Sequence, residues 1–293
     1  MTDFSTALEL TALGEQRWAA ELPSDWAQGR TTFGGLIAAL AARAAILVVG
    51  EQRPLRTLDL AFVSPLPAGP AEVDVEVLSA GKAVTQLVVS VRSGGTLGAR
   101  VHVVAGAARP SGLRVETGPT EMVAGDPAEQ GLALPYLAGI TPAFGQHLEY
   151  RWCSETFPFT GGGPETARVI GWVRHRTPAH GLEAKLALLD AWPPVILRMA
   201  SGPIPASTVR WAIHLAATDD LEAGSEVDRP WVWYEARAVQ CADGYATAYA
   251  SMYAGDRLLA WSEQLIVVYD KPADAVTVGP DAGAAVVGPG ASA

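Results

Sequence analysis

The sequence of 293 residues predicts an α+β fold made twice over: two long buried helices, each wrapped by an antiparallel sheet, with the two sheets pairing into one. Three observations carry this prediction. Residues 34–47 form an Ala- and Leu-rich run that is apolar nearly all round, as in a helix buried on most sides. Period-two segments bounded by Gly and Pro follow it, as in half-buried strands. The order helix, strand, turn, three strands then recurs after a proline-rich middle.

In the first half, Thr31 and Thr32 offer cap oxygens, and Gly34 and Gly35 give the helix an unobstructed first turn. Leu55–Phe62 reads as a strand that Pro65, Pro67, Gly69 and Pro70 bring to an end. Ala71–Leu78 sets Val73, Val75 and Val77 on one face against Glu72, Asp74 and Glu76 on the other. Ala83–Arg92 and Leu97–Ala105 are further strands joined by the turn Ser93-Gly94-Gly95-Thr96. Residues 107–165 are rich in proline and hold a Gly161-Gly162-Gly163 run. They read as a long connection, with a candidate strand over Ala143–Trp152 entering the second half.

In the second half, Gly181–Met199 reads as a helix with Leu182, Leu186, Leu189 and Ile196 at apolar positions, kinked or ended by Pro193-Pro194. Ser207–Leu215, Trp231–Val239, Tyr245–Ala254 and Arg257–Tyr269 read as strands, the last two joined at Ala254-Gly255-Asp256. The expected units are 1–106 and 166–270, with 107–165 as linker and an aperiodic tail, 271–293, expected to be disordered. Thr57–Phe62 aligns with Thr208–Ile213, and Ala83–Ala105 with Tyr245–Val268. One such unit leaves a free sheet edge, which two remove by pairing side by side. The repeat therefore predicts a dimer built into one chain, and leaves open whether that pseudo-dimer forms a homo-oligomer.

Composition narrows the function. Lys and Arg number 21 against 31 Asp and Glu, a formal charge of -10, and no basic stripe stands out, which argues against a nucleic-acid partner. The most apolar run, Leu36–Val49, contains Arg43 and is too short for a membrane span of about 20 residues. The N-terminus lacks the basic and apolar regions of a signal peptide, so the expected location is the cytoplasm. Cys153 and Cys241 lie far apart and read as reduced, mostly buried thiols. The five histidines form no HxH or HxxxH pair, so no metal site is expected.

Phe33-Gly34-Gly35 opening an Ala-rich helix, Leu188-Leu189-Asp190-Ala191 followed by Pro193-Pro194, and the closing RLLAWSEQ of Arg257–Gln264 resemble the acyl-CoA thioesterase II family. The similarity covers nearly all of residues 20–270. It implies a double hotdog fold, each helix-and-sheet unit being one hotdog, with no cofactor. It also implies hydrolysis of an acyl-CoA or acyl-carrier thioester. Such hydrolysis needs a polarised carbonyl, a positioned and deprotonated water, and an apolar slot. Free N–H groups at Gly34 and Gly35, beside Phe33, suit the first need.

The family activates water with an Asp on the first strand after the second helix, a Ser or Thr on the next strand and a Gln on the last. Gln264 matches the Gln. Arg210 falls at the Asp position, and an arginine stays protonated, so it is no base. The Ser or Thr position falls within residues 237–240, where Gln240 is the neutral polar candidate. Asp190 is the replacement base, because burial on an apolar helix raises a carboxylate pKa. Asp59, the counterpart of Arg210 in the first repeat, marks a second pseudo-symmetric site. His214 shares a face with Arg210 and Thr208 by strict alternation and is another candidate base.

Arg210 is alternatively an anion contact, and Lys82, in the Gly81-Lys82 turn, a phosphate contact. The candidate catalytic set is thus Gln264, Asp190 and Gly35, with Phe33, Gly34, Lys82, Thr208, Arg210 and His214 binding substrate. Each has a plainer alternative: glycines that only permit close packing, a Gln264 bonded to backbone, an Asp190 capping the proline kink, a core His214. The tryptophans read mainly as core. Two rival functions stand beside hydrolysis. One is a hotdog that binds an acyl thioester or hydrophobic acid without cleaving it, which Arg210 favours. The other is enoyl-thioester hydration, which needs an adjacent His and Asp pair that the sequence lacks. Fold alone does not decide among them.

Overall fold

The computed structural model describes residues 1–115, 117–122, 125–216 and 229–270; the tail expected over 271–293 lies outside the described residues. In chain order the main elements are α1 (Phe4–Ala7), β1 (Thr11–Gly14), β2 (Arg17–Leu22), β3 (Ala27–Gln28), β4 (Thr31–Thr32), α2 (Gly34–Val49), β5 (Leu55–Phe62), β6 (Gly69–Ala80), β7 (Val84–Ser93) and β8 (Thr96–Gly106). The second half continues with β9 (Leu132–Leu134), β10 (Leu148–Trp152), β11 (Arg168–His175), α3 (Gly181–Leu189), β12 (Ala206–Leu215), β13 (Val232–Ala242), β14 (Tyr245–Ala254) and β15 (Arg257–Val268).

Thirteen of these strands make one antiparallel sheet in the order β1-β2-β6-β7-β8-β5-β12-β15-β14-β13-β11-β10-β9. The two halves meet at β5 and β12, where Trp211 pairs with Leu60 and Ile213 with Leu58. Both expected edges are thereby paired. The sheet wraps the two helices, which lie against each other inside it. Helix α2 is buried on nearly every side: Leu36, Ala38, Ala39, Leu40, Ala41 and Ala42 are all 0% exposed, as the absence of a polar face required. Small alanines let it lie close to both sheet and partner helix.

Three differences from the sequence expectation bear on the site. First, residues 107–165 do more than connect. Strand β9 pairs with β10, and β10 with β11, so this stretch builds one margin of the second half's sheet. Strand β11 was itself unanticipated, because Gly171 interrupts its apolar pattern, as was the N-terminal hairpin β1–β2. Second, the second helix stops at Leu189, well short of Met199. Pro193 and Pro194 lack N–H groups and disfavour helical geometry in the residues before them, so Asp190 becomes the C-cap residue. Third, β12 carries a bulge: Thr208 pairs with Ile266, but Arg210 with Leu265. The extra residue reverses which face the following side chains take. Of the two thiols, Cys153 is half-buried but Cys241 is exposed, against the expectation of two buried ones.

Candidate active site

The end of α3 meets the start of α2. Asp190 accepts a hydrogen bond from Gln264 Nε2 at 2.9 Å, joining the helix end to β15. Its carboxylate also takes a hydrogen bond from the Gly35 backbone amide, an orphan donor of the first helical turn. A Cβ built at Gly34 would lie 2.7 Å from Asp190 Oδ2, so glycine is what allows the helix start to approach the carboxylate. Gln264, Asp190, Gly34 and Gly35, far apart in sequence, therefore converge.

Burial pushes the Asp190 carboxyl up to about 7, and the hydrogen bonds from Gln264 and Gly35 hold it from rising further. Two phenols also sense this carboxylate. Tyr150 and Tyr234 are both raised from the ordinary tyrosine range, first by burial and then by the Asp190 charge, so they stay protonated. Tyr150 donates to the Ala191 carbonyl at 3.0 Å, fixing the chain just beyond Asp190. Tyr234 stacks on Trp192 with ring centroids 5.4 Å apart. Period-two reading of Trp231–Val239 had the signal for Tyr234, and Tyr150 lies in the candidate strand Ala143–Trp152, of which Leu148–Trp152 forms β10.

Two cavities meet at the carboxylate. An open cleft of about 330 Å³ runs between Gly34, Phe62 and Leu66 of the first half and Trp192, Thr208 and Gln264 of the second. A small chamber of about 20 Å³ lies on the other side, against Tyr234, Ala236, Ala248 and Ser262. Asp190, Trp192, Pro194 and Gln264 line both. Larger hollows, of about 490 Å³ beside Arg168, Tyr249 and Trp261 and about 680 Å³ beside Glu21, Glu72 and Arg92, contain neither Asp190 nor Gln264.

Other candidates are placed elsewhere. Thr208 lines the cleft, on the inner side of the bulge. Arg210 and His214 are exposed on the outer face, so the three do not share a face as strict alternation required. Arg210 pairs with Asp59 at 3.0 Å and Glu263 at 3.2 Å, a surface cluster across the β5–β12 seam of the kind worth about 0–1 kcal/mol per pair. His214 packs on Trp261. Neither Arg210 nor Asp59 is at a site. Gln240 is exposed, and the inward residues of β13 near Asp190 are Tyr234 and Ala236, so no Ser or Thr joins the set from that strand.

Phe33 is 0% exposed and stacks on Phe144 at 3.9 Å, so it anchors the helix start from behind and does not face the cleft. Lys82 is held at the other end of α2: Arg53, just past that helix, donates to the Gly81 and Lys82 carbonyls. The helix rises roughly 24 Å over its length at 1.5 Å per residue, so Lys82 is remote from Gly34.

The internal repeat gives a second measure of specificity. Nine residues beyond Gly181 stands Asp190; nine beyond Gly34 stands Arg43, which is exposed. Nine beyond the hairpin glycine Gly255 stands Gln264; nine beyond Gly94 stands Val103, 0% exposed. The pseudo-symmetric partner of the site thus carries neither the carboxylate nor the side-chain amide.

Gly35 has a packing role besides its amide. A Cβ there would lie 2.6 Å from the Phe33 ring and 3.0 Å from Ala187 Cα. Gly35→Ala should therefore force α2 from α3 and cost about 1–3 kcal/mol, read as a lower urea midpoint at unchanged slope. An unchanged midpoint would show that the contact yields freely.

The architecture defines a class. A hotdog-fold protein from Alicyclobacillus acidocaldarius, of unknown function, matches with a TM-score of 0.78 and 19% identity, over 92% of this chain and 98% of its own. An acyl-CoA thioesterase II from Mycobacterium marinum matches with a TM-score of 0.69 and 15% identity, over 92% of this chain and 100% of its own. A dehydratase domain from Pseudomonas fluorescens, at TM-score 0.53 and 11% identity over 87% of this chain and 94% of its own, shows that the scaffold serves other chemistry as well. The chain is a double hotdog protein.

Its sequence places it more narrowly. Residues 22–108 match the acyl-CoA thioesterase N-terminal domain and residues 117–268 the acyl-CoA thioesterase C-terminal domain. The chain belongs to this acyl-CoA thioesterase family. None of the curated proteins matches it. Among the described residues, no helix is long and apolar enough to cross a membrane.

Proposed function

We propose that the protein hydrolyses an acyl-CoA or acyl-carrier thioester with Asp190 as general base. The observation that supports this is a carboxylate raised to about 7, held by Gln264 and Gly35 where a solvent-open cleft meets a small chamber. A base near neutrality combines a useful ionised fraction with enough basicity to take a proton from water. The Gly35 N–H, expected to be free, is engaged by Asp190, so in this reading the thioester carbonyl lies at the Gly34 end of α2, whose partial positive charge stabilises the developing oxyanion.

In this reading Asp190 takes a proton from water as the water oxygen bonds the carbonyl carbon. The C–S bond then breaks, and the same proton passes from Asp190 to the departing sulfur, which leaves as a thiol. Gln264 positions the carboxylate by holding Oδ1, leaving Oδ2 toward Gly34 and the cleft. The non-hydrolytic alternative drew its support from Arg210 in place of the base. The β12 bulge turns Arg210 outward and Asp190 supplies a carboxylate, so hydrolysis is the reading favoured.

The test is thiol release from acyl-CoAs of graded length. Wild type is expected to turn over, and Gln264→Ala to lose roughly 10²-fold in kcat, the scale of a mispositioned reacting group. Because the Gln264 hydrogen bond lowers the Asp190 pKa, the acid limb of the kcat/KM profile should also move to higher pH in the variant. A variant with unchanged kcat and an unmoved limb would remove Gln264 from the mechanism.

A further inference from the structure

Two cavities of very unequal size share the Asp190–Gln264 pair, and their inequality bears on the substrate. A thioester with its carbonyl at this pair would direct one arm toward each cavity. The chamber, about 20 Å³, is little more than the 10–15 Å³ or so that one water needs. A pantetheine arm cannot enter it. The cleft, about 330 Å³, opens beside exposed Gln28 and Arg30 and is lined by Thr31, Ser64 and Ser207, the first two already donating to the Leu66 and Leu97 carbonyls. Only one arm of the substrate can therefore be long, and in a CoA or carrier thioester that arm is always the thiol.

We infer that the acyl group is short, acetyl ahead of any longer chain, and that Trp192 sets this limit. This rests on the hydrolase reading above. Trp192 fills the space between the end of α3 and the sheet. It stacks on Tyr234 at 5.4 Å, meets Tyr150 edge-on at 5.4 Å and packs on Trp152 at 5.8 Å. Its indole N–H is buried without a partner among the described residues, so packing holds the ring in place. Opposite it, Gly171 accommodates the ring edge: a Cβ there would lie 2.6 Å from Trp192 Cη2. The ring is thus wedged into the region that a longer chain would need. Ala248, facing Gln264 from β14, closes the chamber on the other side.

The experiment measures kcat/KM for acetyl-, butanoyl-, hexanoyl-, octanoyl- and dodecanoyl-CoA. Wild type should fall by about tenfold or more between acetyl and octanoyl, since a misfit methylene in a hydrophobic pocket costs on the order of tenfold. Trp192→Ala should raise octanoyl relative to acetyl by about tenfold or more. Trp192→Leu, a smaller excision, should do so in part, and covers the case in which the alanine variant fails to fold. Ala248→Val should lower butanoyl further than acetyl. A flat wild-type profile, or Trp192 variants that scale all lengths alike, would overturn the inference. Were wild type to release thiol from no substrate, the hydrolase reading would fall alone. Dissociation constants from tryptophan fluorescence would then decide: weaker binding of octanoyl- than acetyl-CoA sustains the size limit, and equal or tighter binding overturns it.

Discussion

Asp190→Asn is expected to lower kcat/KM for thioester hydrolysis by roughly 10²–10⁴-fold, the range for loss of a positioned general base. Asparagine has nearly the same shape as aspartate, and its carbonyl oxygen can still accept the Gln264 amide, so the helix junction should persist. What disappears is the group that takes the proton. The pH profile separates this from a structural effect. With the Asp190 carboxyl at about 7, wild-type kcat/KM should rise as pH increases through that value, because the active form is the ionised one. The residual activity of the variant should lack that rise. Near-wild-type turnover in Asp190→Asn, or the same acid limb in both proteins, would assign the base elsewhere.

How much of this was legible beforehand depended on the kind of information each residue carries. The buried helix and the strand pairs around it were written in local pattern: an alanine-rich run without a polar face, alternating valines, a Ser93-Gly94-Gly95-Thr96 turn. The convergence of Gly34, Gly35, Asp190 and Gln264 was foreseeable as a candidate set because each stands in a motif at the end of an element. Side-chain direction on β12 was not legible. A bulge leaves no mark in the 208–210 tripeptide, yet it decides that Thr208 faces the cleft and Arg210 the solvent. Alignment to the family pattern put Arg210 at the Asp position, and alternation applied without the bulge put His214 and Thr208 on its face, which made hydrolysis look compromised. Tyr150 fell within the candidate strand Ala143–Trp152, but its place beside Asp190 comes from the pairing of β10 with β11, which no local pattern shows. Lys82 was misplaced because a turn's position relative to a helix depends on the sheet order.

The carboxylate that serves as base should also weaken the fold as it ionises. Its pKa is about 7 in the folded protein against an ordinary 3.8. Between those values the native state binds more protons at this residue than the unfolded chain does. Unfolding therefore releases protons, and stability falls as pH rises through the window from about 4 to 7. A difference of about three units corresponds to as much as ~4 kcal/mol, fully expressed above pH 7. The total pH dependence of wild type will not show this cleanly. His175, held near 4 by burial, and His147, also lowered by burial, act in the opposite sense, because each costs stability when protonated at low pH. Comparison with Asp190→Asn cancels the histidines, since they are common to both proteins. Urea unfolding at pH 4.5, 5.5, 6.5 and 7.5 should find the variant gaining on wild type at each step and exceeding it at 7.5, the protein in which it catalyses nothing being the more stable one. A stability difference that stays constant over the four values would mean that Asp190 ionises in the fold as it does in water, and the argument for its basicity would go with it.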